Sequence, residues 1–123
     1  MWRTLILIAI GGGIGSILRY LTSVTATKYF PGLFPWGTLI VNVLGCFVIG
    51  ILIGLFDRQQ MPNQDFKYLL ITGFCGGFTT FSTFAAENIN LFQSGNYLAA
   101  FSYTALSVII CLAATWCGML LLK

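Results

Sequence analysis

The sequence predicts an all-α membrane protein with four transmembrane helices, the third broken mid-membrane. Three observations carry this. Hydrophobic residues make up 58% of the 123 positions and charged residues only 7%. A soluble domain carries roughly 25% charged residues, so this chain cannot clothe a water-facing surface. Its apolar residues gather into four stretches, each near the about 20 residues a helix needs to cross a bilayer. The third stretch holds Gly76-Gly77 followed by Thr79-Thr80, a poor composition for a helix interior.

The first span is expected over about 5–24, interrupted by Arg19. The second runs over about 38–56, with Asn42 as its one strongly polar residue. The third covers about 68–86 and is rich in glycine, threonine and serine. The fourth covers about 97–122 without a charge. Pro31, Gly32 and Pro35 punctuate the first connection, Asp57, Arg58, Pro62, Asp65 and Lys67 the second, and Ser94, Gly95 and Asn96 the third. None has room for a further domain, so residues 1–123 read as a single transmembrane domain. Arg3 before an apolar run is faintly like a signal peptide, but no small-x-small cleavage site follows. It is read as a retained first span.

Several classes fall away on composition. The net charge of +3 is small and scattered, which argues against nucleic acid as a partner. Histidine is absent, and the acids are Asp57, Asp65 and Glu87, thin material for acid–base catalysis or a metal site. Cys46, Cys75, Cys111 and Cys117 form no CxxC pair and lie in apolar runs, as free thiols packing like small hydrophobes do. With four spans, Arg3, Arg58, Lys67 and Lys123 share one membrane face, against Lys28 and Arg19 on the other. Positive charge sets orientation. This bias is modest and leaves insertion in both directions open.

Polar groups within a bilayer are costly and tend to be functional. A break near Gly76 to Thr80 would free carbonyls and amides that lipid cannot satisfy. Broken membrane helices use such carbonyls to hold cations. The competing reading is close helix packing through small residues. Phe81 and Phe84 are three apart and share a helix face, with Phe78 continuing the row. Such a row is ordinarily core, but Thr79, Thr80, Ser82 and Thr83 surround it with hydroxyls. Aromatic edges are electropositive, and weak repeated contacts of that kind suit a conducted anion.

The remaining polar residues each carry two readings. Asn42 offers two amide donors, equally suited to a pore and to a helix–helix hydrogen bond worth about 0.6 kcal/mol. Tyr103, Ser107, Cys111 and Thr115, with Thr104 alongside, form one face of the fourth span, either a pore lining or a packing seam. Gly11 with Gly15, and Gly50 with Gly54, read as close-contact pairs. Arg19 either snorkels to the interface or gives an anion vestibule its positive field. Glu87 closes the third span with no partner named by the sequence.

Three motifs together resemble the Fluc (CrcB-type) fluoride channel family. They are Gly11-Gly12-Gly13-Ile14-Gly15 with Arg19, then Gly37-Thr38-Leu39-Ile40-Val41-Asn42, then the run from Gly73 to Phe84, GFCGGFTTFSTF. The resemblance spans nearly the whole chain. It implies an antiparallel, dual-topology homodimer with two fluoride pathways. It also implies a structural sodium ion (Na+) at the dimer centre, held by the backbone carbonyls of Gly76 and Thr79. Phe81 and Phe84 match the family's pore phenylalanines and Asn42 its pore asparagine. Tyr103 and Ser107 match polar positions near the pathway, and Cys111 stands where some members carry a serine. Ser82 and Thr83 complete the expected pathway, with Arg19 at its vestibule. The expected setting is the bacterial inner membrane, where cytoplasmic fluoride leaks out and its toxicity is relieved.

Elementary chemistry agrees in part. Four helices are thin walls for a selective pathway, and a second copy doubles them. Fluoride loses water at high cost, so donors such as Asn42 and the hydroxyls must replace it. The ion's identity, though, comes from the resemblance. The rivals are a small multidrug exporter, a membrane enzyme and a non-conducting assembly subunit. An exporter needs an ionisable acid within a span, and Glu87 is read at an edge. An enzyme needs a nucleophile–base pair, and none is evident.

Overall fold

The computed structural model describes residues 1–58 and 63–122. Pro62 and Lys123 of the sequence reading lie outside the described residues. The described chain is helical throughout, without a strand. Helix α1 spans Trp2–Tyr29 and α2 spans Trp36–Asp57. The third rod is composite: α3 (Gln64–Lys67), a π-helical segment (Tyr68–Cys75), α4 (Gly76–Phe78) and, after an interruption, α5 (Ser82–Gln93). Helix α6 spans Tyr97–Leu120. With Gln64–Gln93 taken as one rod, four helices among the described residues are long and apolar enough to cross a membrane.

The helices end where backbone chemistry ends them. Proline disfavours helix at the preceding residue, and α1 stops at Tyr29 with Pro31 two positions on. Helix α2 begins directly after Pro35, as a fixed φ at a helix start allows. Helix α5 closes with a Schellman pattern. Asn96 N–H reaches Leu91 O at 2.9 Å and Gly95 N–H reaches Phe92 O at 3.2 Å. This needs a left-handed residue, and Gly95 supplies it with φ of 84°.

The first and third rods therefore run longer than the sequence reading expected. The third extends to Gln93 rather than Ala86, so Glu87 lies inside it and not at its edge. The argument from position against an intramembrane acid is thereby withdrawn.

Two seams assemble the bundle, and both are backbone-to-backbone. Helix α1 lies along the π-helical segment and α4, while α2 lies along α6. In the first seam, a Cβ on Gly11 would strike the Leu69 carbonyl and one on Gly77 the Gly12 carbonyl. In the second, a Cβ on Gly50 would strike the Thr115 carbonyl and one on Gly118 the Phe47 carbonyl. Small residues let membrane helices approach this closely, and the approach yields the van der Waals contact that holds them together. Between the seams, Leu39, Leu91, Ala100 and Tyr103 form a buried cluster against Phe34 and Phe84. The outward faces carry Ile6, Ile10, Ile14 and Ile17 on α1 and Phe101, Val108 and Leu112 on α6, all exposed.

The seams make a graded prediction. Gly11→Ala must displace backbone, at a cost of about 1–3 kcal/mol, and should lower the melting temperature in detergent. Gly54→Ala meets only the tip of Leu122, at 3.2 Å, and should shift it less. Thermal melts of the two purified variants test the order, and equal shifts would remove the backbone contact as the cause.

Candidate functional site

The site begins at the interruption of the third rod. Thr79 is extended, with φ −83° and ψ 158°. Gly76 and Gly77 themselves stay helical, so the break lies at the C-terminal end of the expected Gly76–Thr80 window. Threonine hydroxyls compete for backbone partners, and here they do so twice. Thr79 Oγ1 donates to Cys75 O at 2.8 Å, and Thr80 Oγ1 accepts from Thr83 N–H at 3.2 Å. Asn42 completes the break from α2. Its Nδ2 donates to Thr80 O at 2.9 Å and its Oδ1 accepts from Thr80 N–H at 2.8 Å. This is the helix–helix bond considered from sequence, doubled. An amide nitrogen has two hydrogens, so one remains for another acceptor.

A cleft of about 270 Å³ opens beside the break. Asn42 and Cys46 line it from α2, Thr79, Thr80, Phe81 and Phe84 from the third rod, and Ser107, Val108 and Cys111 from α6. The Phe81 and Phe84 rings are 5.6 Å apart and tilted by 45°. Phe84 is held from behind by Tyr103, at 5.0 Å. Phe78 does not continue the row: it is buried before the break and stacks on Phe74 at 5.8 Å. Ser107 Oγ is buried and has no hydrogen-bond partner among the described residues. Buried polar atoms are nearly always satisfied, so an unpaired hydroxyl in a cleft wall points to something that enters the cleft.

The other expected residues sit around two neighbouring cavities. Arg19, Ser16, Ser23, Thr38, Thr80 and Thr83 line one of about 190 Å³. Arg19 is half-buried and donates through Nε to Gly77 O at 3.0 Å, so it braces α4 while its guanidinium borders that cavity. Thr80 lines both this cavity and the cleft. Ser23 and Thr38 also line a third space of about 320 Å³, together with Glu87. Ser82 borders none of the three, and its Oγ lies 3.4 Å from Thr80 Oγ1. Tyr103 is fully buried and lines none of them; its hydroxyl donates to Glu87 Oε1 at 3.2 Å. That bond names the partner the sequence left blank.

The expected cation ligands meet a fair test. In an unbroken helix, the carbonyls of Gly76 and Thr79 would accept from the amides of Thr80 and Thr83. Those amides are diverted to Asn42 Oδ1 and Thr80 Oγ1. Helix C-terminal ends carry partial negative charge, and unwound carbonyls suit a hard cation such as sodium. No group of three or more His, Cys, Asp or Glu able to hold a metal occurs among the described residues. The residues present thus fit a sodium ion.

Comparison with known proteins meets this geometry at the family level. The family model described as CrcB-like protein, Camphor Resistance (CrcB), matches residues 6–119. The chain belongs to the CrcB family. It is 47% identical over 121 residues to the fluoride-specific ion channel FluC of Flavobacterium psychrophilum, covering 98% of each chain. It is 44% identical to the FluC channel of Azobacteroides pseudotrichonymphae, over 98% of this chain and 97% of that one. It is 46% identical to that of Rhizobium etli, over 96% and 94%. The resemblance drawn from the motifs is therefore borne out. This CrcB chain is a multi-pass membrane protein, and its family is one of channels rather than enzymes.

The Asn42–Thr80 pairing makes its own prediction. Asn42→Ala leaves a part-buried N–H and C=O without partners, at about 1–3 kcal/mol for each group. It should melt well below the parent protein in detergent. An unchanged melting temperature would mean that water or the surrounding chain satisfies Thr80 equally well.

Proposed function

We propose that this CrcB chain forms a passive, fluoride-selective channel that lets cytoplasmic fluoride leave the cell and so relieves fluoride toxicity. It works as an antiparallel, dual-topology homodimer in the bacterial inner membrane. The observation that carries this reading is the cleft itself. An unpaired Ser107 hydroxyl, a spare Asn42 amide hydrogen and two phenylalanine rings line one narrow space. Fluoride is a small, strong acceptor, and such donors replace the water it sheds. Ring edges add weak positive character without the grip of a full charge, so the ion can also leave.

The neighbouring cavities extend the route. Hydroxyls of Thr80 and Thr83 line the cavity bordered by Arg19, whose charge concentrates anions at the vestibule. Tyr103 lines none of the three spaces and serves as a wall, holding Phe84 and Glu87 in place. Two features favour a second copy. Phe81 is 78% exposed within its own chain, so this pore ring has no lid there. The break also falls halfway along the third rod, which in a spanning helix is mid-bilayer. Symmetry-related breaks would then meet, and the carbonyls of Gly76 and Thr79 from both copies would hold one sodium ion. That ion neutralises their partial charges and locks the dimer centre.

A fluoride electrode beside a chloride electrode tests the whole reading on proteoliposomes. Fluoride efflux far above chloride, with no proton gradient imposed, is expected; dependence on a proton gradient would make Glu87 a proton carrier and end the passive reading. Phe81→Ile and Phe84→Ile should each slow efflux at least about tenfold, a barrier rise of about 1.4 kcal/mol, while dimers persist. Asn42→Asp should abolish it, since a carboxylate repels the anion. Undiminished flux in these variants would remove the cleft from the pathway.

A further inference from the structure

Two groups in the cleft wall remain without a role: the thiols of Cys46 and Cys111. Cys46 comes from α2 and Cys111 from α6. Both are free and half-buried, and both line the cleft. Their sulfurs stand within hydrogen-bond reach of one another. The backbones that carry them are fixed close by. Gly50, one turn beyond Cys46, packs on the carbonyl of Thr115, one turn beyond Cys111. The pair is thus set across a rigid seam rather than on mobile chains. The other two cysteines differ: Cys75 is buried and Cys117 is exposed, and neither lines the cleft.

We propose that Cys46 and Cys111 form a binding site for a soft, two-coordinate metal cation, with mercury(II) as the ion they fit best. Thiolates select soft metals. Zinc would require four ligands in a tetrahedron, and no His, Asp or Glu lines the cleft. A linear d10 ion needs only two sulfurs. Charge decides among such ions. Mercury(II) binds two thiols as a bis-thiolate and releases two protons, so the complex carries no net charge. Silver(I) or copper(I) on two thiolates would leave a net negative charge in apolar surroundings, which is costly. The bound metal would sit beside Ser107, between α2 and α6. Closure of the pathway by this metal rests on the channel reading above; binding itself does not.

The test uses full-length protein and mercuric chloride. With Cys75→Ala and Cys117→Ala in the background, one equivalent per chain should consume two thiols by thiol titration. It should also raise ultraviolet mercury–thiolate absorption, and slow fluoride efflux at least about tenfold, reversibly with a dithiol chelator. Adding Cys46→Ser or Cys111→Ser should abolish two-thiol consumption, each variant being compared with its own untreated flux. Loss of only one thiol per mercury in the parent, or unchanged behaviour in the serine variants, would overturn the site. Two-thiol binding with undiminished flux would overturn the blockade. Two-thiol binding by protein that never conducts fluoride would uphold the site and defeat the channel reading instead.

Discussion

Asn42 gives Thr80 what an unbroken helix would have given it. Its carboxamide accepts from the Thr80 amide and donates to the Thr80 carbonyl, so a residue lifted out of helical pairing remains satisfied. In an apolar setting an unpaired backbone group costs several kcal/mol, and without this pairing the third rod would close up into continuous helix. Because the rod stays open, a helix end and a helix beginning meet within a few residues. Partial negative charge collects at the first and partial positive charge at the second. One side of the break thereby becomes hospitable to a cation and the other to an anion.

The break is held open by rigid neighbours. Asn42 sits on α2, which is locked to α6 where Gly50 meets Thr115 and Gly118 meets Phe47. Helix α4 is locked to α1 where Gly77 meets Gly12, and Arg19 braces the Gly77 carbonyl. The cleft is thus walled by elements that cannot drift apart without losing backbone contact. Donors fixed in this way need no reorganisation when an ion arrives, which is the physical content of preorganisation.

Much of this was legible from residue order, and the misses have physical causes. Hydropathy located all four spans, because only lipid rewards such runs. Their ends were set too short, since polar residues such as Gln93 continue a helix until proline or a left-handed glycine stops it. That shortening placed Glu87 at an edge. The break was anticipated from glycine and threonine together, but the glycines remain helical under the press of α1 and the threonine hydroxyls do the disrupting. Phe78 was assigned to the aromatic row by spacing alone, which fails once a helix is interrupted between its members. The double bond of Asn42 and the Arg19–Gly77 contact join residues 38 and 58 positions apart, beyond any local pattern. Ser107 and Asn42 were singled out correctly as polar atoms in apolar helices, yet only coordinates reveal which of them is already satisfied.

The π-helical segment Tyr68–Cys75 left no mark in composition. Its wider coil accommodates one residue more than α-helix would over the same rise. Removing a residue there would let the coil revert to α-helix and rotate everything downstream by about 100°, the share of a turn that one residue occupies. Phe81 and Phe84 would then swing off the cleft while every side chain kept its identity. For this stretch, chain length is therefore a stricter constraint than residue type: related sequences can exchange one apolar residue for another, but an insertion or deletion would misaim the pore.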